Sequence, residues 1–337
     1  MTNVVYFAGG EDTSGTAVGT VSVSTVTTTF RANFARESLG IIGAVADPPT
    51  NRFVLNGWPA QTTFWFHAES YVVSTATTNN CQLLALLDSG GVARLCIRGT
   101  GTAGQLRLET RTAAGVFTTL VTSAAAVYSA ALHALDVFVN YSTSGRVTVY
   151  LDGVSIMDTG AGVNVTTDSA TALANAYVSN CGTGNTVNWS ELLVMDSSTL
   201  GAGVWTLTPQ APGNTQSWTP NTLANINKTA ISDTTYVSTT AVNALSEWTT
   251  PITPPGGTWL VPAIVQEARV SVGATGPLHL EWLCRTIDGT DHVSGSVAPT
   301  TSFANYTGLW PTNPHSGSAW LIGDIATGFN LGIESLT

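Results

Sequence analysis

The sequence predicts an all-β chain built from two β-sandwich or jelly-roll domains, and three observations carry that expectation. Alternation of apolar and polar residues recurs from end to end, while helical periodicity is almost absent. The alternating runs return at roughly 10-residue spacing between Gly, Asn and Asp turns, the rhythm of a sandwich. Charged residues make up only 9% of the 337 and hydrophobic ones 43%, where soluble domains carry about 25% charge. Thr, Ser, Asn, Gly and Val fill the space that charge would occupy, which suits hydroxylated strand faces and tight turns.

In chain order, strands are expected at Asn3–Ala8, Val21–Phe30, Arg52–Asn56, Thr63–Val73, Gln82–Leu87, Ala93–Ile97, Gln105–Thr110, Gly115–Val121, Leu135–Tyr141, Arg146–Leu151 and Val187–Met195. The clearest local signal is Arg146 to Met157, because Asp152-Gly153 supplies the positive φ values that a type I′ turn needs between alternating arms. Three prolines and a glycine between Thr208 and Pro220 break strand pairing, so the chain is divided into residues 1–207 and 208–337. The second domain is expected to be the smaller sandwich. Downstream of a rigid loop at Pro251–Gly257, Trp259–Val272 and Leu278–Ile287 read as strands. One short helix is expected from Ser318 to Gly328, then a final strand.

Eleven basic against 21 acidic residues give a formal charge of -10, which repels phosphate backbones and anionic lipids, so neither nucleic acid nor membrane insertion is expected. Lys228 is the only lysine. The first residues lack the basic and apolar regions of a secretory signal, and no stretch approaches the roughly 18 apolar residues of a membrane-spanning helix. Cys81, Cys96, Cys181 and Cys284 are too scattered for a zinc site and read as buried free thiols.

Chemistry-bearing motifs are weak. Gly99-Thr-Gly101-Thr-Ala-Gly104 matches the dinucleotide pattern, but a strand follows where a helix would have to start, so a glycine-rich turn is expected. Same-strand carboxylate pairs of the E-x-D or E-x-E kind that a glycosidase could use are missing; Glu69, Glu109, Glu191, Glu267 and Glu281 are each isolated along their strands. No G-x-S-x-G elbow is present, and His67, His133, His279, His292 and His315 lie in unrelated contexts. The run Ile287-Asp-Gly-Thr-Asp-His292 offers two aspartates, too few for a calcium loop, and reads as a turn. No enzyme activity, cofactor or metal is expected. Ten tryptophans are the best hint of recognition. Trp65, Trp259 and Trp282 lie in strands and look internal, whereas Trp58 and Trp310 each precede a proline in loop-like sequence and are the candidate exposed ligand or interface residues.

The stretch Cys81–Thr159 resembles the laminin-G-like, concanavalin-A-like jelly roll on Leu135–Asn140, Gly145 and Val147-Thr-Val-Tyr-Leu-Asp-Gly153, with Val187–Asp196 matching its closing strand. The family's tryptophan ahead of the aromatic strand is replaced by Ala131-Leu132, and its calcium ligands have no counterparts here. The second half is similar to the C-terminal part of tailed-bacteriophage structural proteins, on Trp205-Thr-Leu-Thr-Pro209, Gly213–Pro220, Asp233–Ser238, Ser318-Ala-Trp320 and Gly328–Ile333. The resemblance implies a virion structural protein, made in the bacterial cytoplasm and displayed on the particle as a head-decoration spike or tail-fibre component. Its expected partners are its own copies, as a homotrimer, and other virion proteins. A carbohydrate-binding tail adhesin that contacts host glycan is the alternative, and a polysaccharide depolymerase ranks third.

Overall fold

A computed structural model describes residues 4–8, 20–24, 27–29, 38–42, 52–56, 58–72, 81–179, 186–202, 209–226, 233–250, 260–325 and 329–337. The chain separates into two compact units, Thr2–Val204 and Trp205–Thr337. The described residues are almost entirely strand and turn, and no helix among them is long and apolar enough to cross a membrane. Cys181, Lys228, Trp259 and the Pro251–Gly257 loop lie outside the described residues.

In the first unit the strands are β1 (Val4–Ala8), β2 (Thr20–Ser24), β3 (Thr27–Thr29), β4 (Ser38–Ile42), β5 (Arg52–Asn56), β6 (Thr63–Val72), β7 (Gln82–Leu87), β8 (Ala93–Gly99), β9 (Leu106–Arg111), β10 (Phe117–Thr122), β11 (Leu132–Asn140), β12 (Arg146–Leu151), β13 (Val154–Asp158), β14 (Asn175–Ser179) and β15 (Thr186–Met195). They form two antiparallel sheets. One runs β13-β12-β11-β6-β15-β4-β3, with β1 also paired to β15, and the other runs β10-β9-β8-β7-β14-β5-β2. Period-2 alternation decides what lies between them: Phe64, Phe66, Val137 and Val149 from the first sheet meet Leu84, Leu86, Ile97 and Leu108 from the second in one core. Full burial of each such side chain is worth about 1.5–3 kcal/mol. β7 is buried on both faces, since Ala85 and Leu87 join Cys96 and Tyr177 in a satellite cluster, which fits its nearly continuous apolar run.

The β12–β13 hairpin turns at Asp152 and Gly153 with φ of 53° and 78°. Asp152 tolerates that conformation because its carboxylate accepts from the Ala134 N–H at 2.9 Å and meets His133 Nδ1 at 2.7 Å. The glycine-rich run is a turn from β8 into β9. A Cβ on Gly104 would sit 2.8 Å from Ala126 Cα, so the chain passes too close there for any side chain.

The second unit contains β16 (Ala211–Gln216), β17 (Leu245–Thr249), β18 (Leu260–Val261), β19 (Ile264–Val270), β20 (His279–Arg285), β21 (Asp291–Val297), β22 (Ala304–Trp310), β23 (Trp320–Leu321) and β24 (Asn330–Leu336). A five-stranded antiparallel sheet runs β16-β17-β24-β20-β21, and β18-β23 and β19-β22 form two further pairs among the described residues. Trp218, Trp248, Trp282, Trp310, Trp320 and Phe329 dominate its core. The helix expected at Ser318–Gly328 is reduced to a four-residue 3-10 turn, Ile322–Ile325, because Trp320 and Leu321 are taken up as β23. A single α-helical turn, Leu223–Ile226, lies earlier in the unit.

Cys96 and Cys284 are buried free thiols. Cys81 is not: it is disulfide-bonded, to a partner outside the described residues. Spacing along the sequence carries no information about which cysteines the fold brings together.

Candidate functional site

Neither tryptophan singled out from the sequence reaches solvent. Trp58 is 3% exposed and packs its ring 6.5 Å from that of Phe64. Trp310, at 4%, ends β22, where its indole N–H donates to Gln266 Oε1 at 3.4 Å and its carbonyl accepts the Trp320 indole N–H at 2.9 Å. A following proline restricts the backbone of the residue before it but places no limit on side-chain burial, and the large apolar ring goes to the core.

Trp65 corrects the expectation in the opposite sense. Phe64 and Phe66 both point into the core, so the residue between them must point out. Trp65 is half-buried on the outer face of its sheet, beside its cross-strand partner Phe138 at 5.2 Å and stacked at 26° on Tyr150 at 5.8 Å. The three rings form a ladder across β6, β11 and β12. Next to it Arg146 clasps Asp158 through two hydrogen bonds of 3.0 and 2.6 Å, and Thr148 donates to the same carboxylate at 3.2 Å. The Arg146 hydrogen bonds hold the Asp158 carboxyl down at about 2. Flat aromatic faces flanked by a fork of donors and acceptors can stack on and hydrogen-bond a ring-shaped polar ligand.

Other polar clusters are occupied by their own partners. Arg94 is gripped by Asp88 and Asp168, and the Tyr141 hydroxyl donates to Asp168 at 3.5 Å. Burial would raise the Asp88 carboxyl, but the Val92 N–H and Arg94 hold it below the usual range; burial and then Asp168 push the Tyr141 hydroxyl up. His67 Nδ1 meets Asp136 at 2.8 Å, and Thr199 donates to the same oxygen at 2.6 Å. Glu109 takes Arg98 at 3.0 Å and Arg107 at 2.6 Å.

One carboxylate pair was not legible in the sequence. Glu247 on β17 is raised above the usual carboxylate range, by burial first and by neighbouring Asp291 on β21 second. Arg285 lies between them, 2.6 Å from Asp291 and 3.9 Å from Glu247. A raised acid beside a second carboxylate is a pattern shared with acid catalysts. Here Glu247 is wholly buried and accepts the backbone N–H groups of Asn214 and Thr215 at 3.0 and 3.3 Å, so it pins irregular β16 to the sheet. The side chain reaches across β24 at Gly332, where a Cβ would lie 3.2 Å from Glu247 Cγ.

The turn from β20 to β21 brings a further group together. Asp288 and His292 are joined by His315 from the β22–β23 loop, with one ligand-capable atom from each lying within 4.8 Å of the others. His315 Nδ1 is 2.8 Å from Asp288 Oδ2.

No family model matches the chain, and no curated protein matches it. Among solved structures, it is similar to the receptor binding domain of botulinum neurotoxin type G, at 9% identity and a TM-score of 0.38 over 52% of this chain and 42% of that one. It is similar also to the binding domain of Paraclostridial Mosquitocidal Protein 1, at 10% identity and 0.41 over 58% and 49%. For the globular domain of T. cruzi calreticulin the values are 9% and 0.42 over 58% and 89%. The chain spans less than half the length of the first two. Its β-sandwich architecture rests on the sheets described above.

Proposed function

We propose that this chain is a structural protein of a tailed-bacteriophage virion, displayed on the particle surface as a head-decoration spike or tail-fibre component and assembled as a homotrimer. The observation that carries the reading is the chemistry of three sheet edges among the described residues, β10, β13 and β21; a fourth, β16, is blunted by Pro212. Exposed edge strands are templates for pairing with another chain, and monomeric proteins blunt them with lysine, proline or inward charge. Edge strand β10 carries no charge, and Val116 just before it is 63% exposed. On β13 Val154 is 65% exposed, and on β21 Val293 is 52% exposed; the acids of those two strands, Asp158 and Asp291, are neutralised by Arg146 and Arg285. With a single lysine in the chain, such edges suit packing against symmetry mates. The motif resemblance in both halves of the sequence supplies the virion context.

Light scattering on the purified chain tests this directly: about three times the 35.0 kDa chain mass is expected, with the protein recovered from purified particles by peptide mass spectrometry. A monomeric mass together with absence from particles overturns it.

A second reading, a carbohydrate-binding tail adhesin, is favoured by the Trp65–Phe138–Tyr150 ladder. Glycan-array binding lost in Trp65→Ala and Tyr150→Ala supports it, whereas silent arrays and unchanged adsorption of phage carrying those variants remove it. The depolymerase reading has the weaker support, since Glu247 is sealed from any glycosidic oxygen in this conformation.

A further inference from the structure

We propose that Asp288, His292 and His315 bind one first-row divalent transition-metal cation, of the Zn2+ type, and that the bound ion ties the β20–β21 turn to the β22–β23 loop. Two imidazoles and one carboxylate are a donor set suited to zinc and its neighbours rather than to calcium, which takes six to eight oxygens. The three ligand-capable atoms lie within 4.8 Å of one another. A tetrahedral ion with donors at about 2.0–2.2 Å sets them about 3.3 Å apart, so rotation of exposed side chains closes the set. Water completes the coordination.

Three further features fit a metal centre. His292 Nε2 is closed off from solvent with no hydrogen-bond partner, a costly state for a polar atom. The two imidazoles lie 6.5 Å apart, edge to face, so a nitrogen of one can share an ion with a nitrogen of the other. The carboxylate is oriented from outside, by the Thr286 hydroxyl, by the Thr290 hydroxyl at 2.9 Å and by the Thr290 N–H at 3.3 Å, as outer partners orient metal ligands. Asp291 is held by Arg285 at 2.6 Å and stays outside the set. The His315 backbone N–H donates to Asn313 Oδ1 at 2.9 Å, which fixes the loop that carries the third ligand.

The test uses untagged, chelator-stripped full-length protein titrated with Zn2+ by calorimetry, with Co2+ as a spectroscopic probe and Ca2+ and Mg2+ as controls. One equivalent of Zn2+ is expected to bind and to raise the melting temperature reversibly with EDTA, Co2+ to give d–d bands with nitrogen ligation, and Ca2+ and Mg2+ to do neither. Thr290→Val, which removes an outer partner, is expected to weaken Zn2+ by roughly 10–100-fold, and His315→Ala to weaken it further. His315 is exposed, so that variant keeps its fold, as circular dichroism verifies. Failure of stripped wild-type protein to bind Zn2+, or binding retained in a His292→Ala/His315→Ala double variant, overturns the proposal.

Discussion

Adding one methyl group at Gly308 should destabilise the second unit, and the structure says by how much. Gly308 lies in β22, and a Cβ built there falls 2.4, 2.6 and 2.8 Å from Cγ, Cδ1 and Cδ2 of Trp282, where carbon atoms in contact prefer about 3.5–4.0 Å. Trp282 belongs to β20 and is 1% exposed within the second core, so its indole has no empty space to retreat into. Overpacking of this kind costs typically 1–3 kcal/mol. Replacing glycine in a strand returns up to about 1 kcal/mol of backbone entropy; because the 2.4 Å approach puts the clash in the upper half of the overpacking range, about 2–3 kcal/mol, a net loss of about 1–2 kcal/mol remains. At about 3–5 °C per kcal/mol for a unit of this size, Gly308→Ala should lower its melting transition by roughly 3–10 °C in differential scanning calorimetry. The cause is checked with Trp282→Phe: if the methyl group destabilises by striking the indole, the double variant loses less than the sum of the singles by about 1 kcal/mol or more. Costs that add to within about 0.5 kcal/mol, or an unchanged melting temperature in Gly308→Ala, refute the reasoning.

Two other expectations follow from the electrostatics and the cysteines. Asp158 is held down at about 2 by Arg146, below an unfolded value of about 3.9, so its contribution is fully present above pH 4 and is lost as pH falls toward 2; melting temperatures measured between pH 5 and pH 2 should fall less steeply in Arg146→Gln than in the parent. Burial, with Asp291 second, pushes the Cys284 thiol up to about 12, so Cys284 and buried Cys96 should resist iodoacetamide at pH 8 until the chain is denatured, while Cys81 should stay unlabelled without reductant, as peptide mass spectrometry reads out.

Much of the fold was legible because it depends on short-range alternation. The Asp152-Gly153 hairpin needs only two residues that accept positive φ between alternating arms, and Gln82–Leu87 is a strand as its sequence suggests, although its burial on both faces emerges only from the packed sheets. Within the expected Ser318–Gly328 helix the described residues form only a 3-10 turn at Ile322–Ile325, because Trp320 is paired in β23 and sealed in the core. The site was less legible. Trp65 could have been placed outward from its own neighbours, since Phe64 and Phe66 flank it and period 2 leaves it no other direction, but the apolar character of all three masked the signal. No comparable signal marks Trp58 or Trp310, whose loop-like, proline-flanked contexts describe the backbone and leave the fate of the ring to the surrounding core.

What the sequence determined by itself was the class of structure: strands and turns, set by interactions between residues a few positions apart, and a composition poor in charge. Only the tertiary structure decided which distant groups meet. Glu247 on β17 interacts with Asp291 on β21 across β24, where Gly332 leaves room for its side chain, and across β20, whose Arg285 lies between them. His315 from the β22–β23 loop meets Asp288 and His292 although more than 20 residues separate them along the chain. Strand order and loop placement arise from packing whole sheets against one another, a free energy summed over many residues that no local pattern encodes.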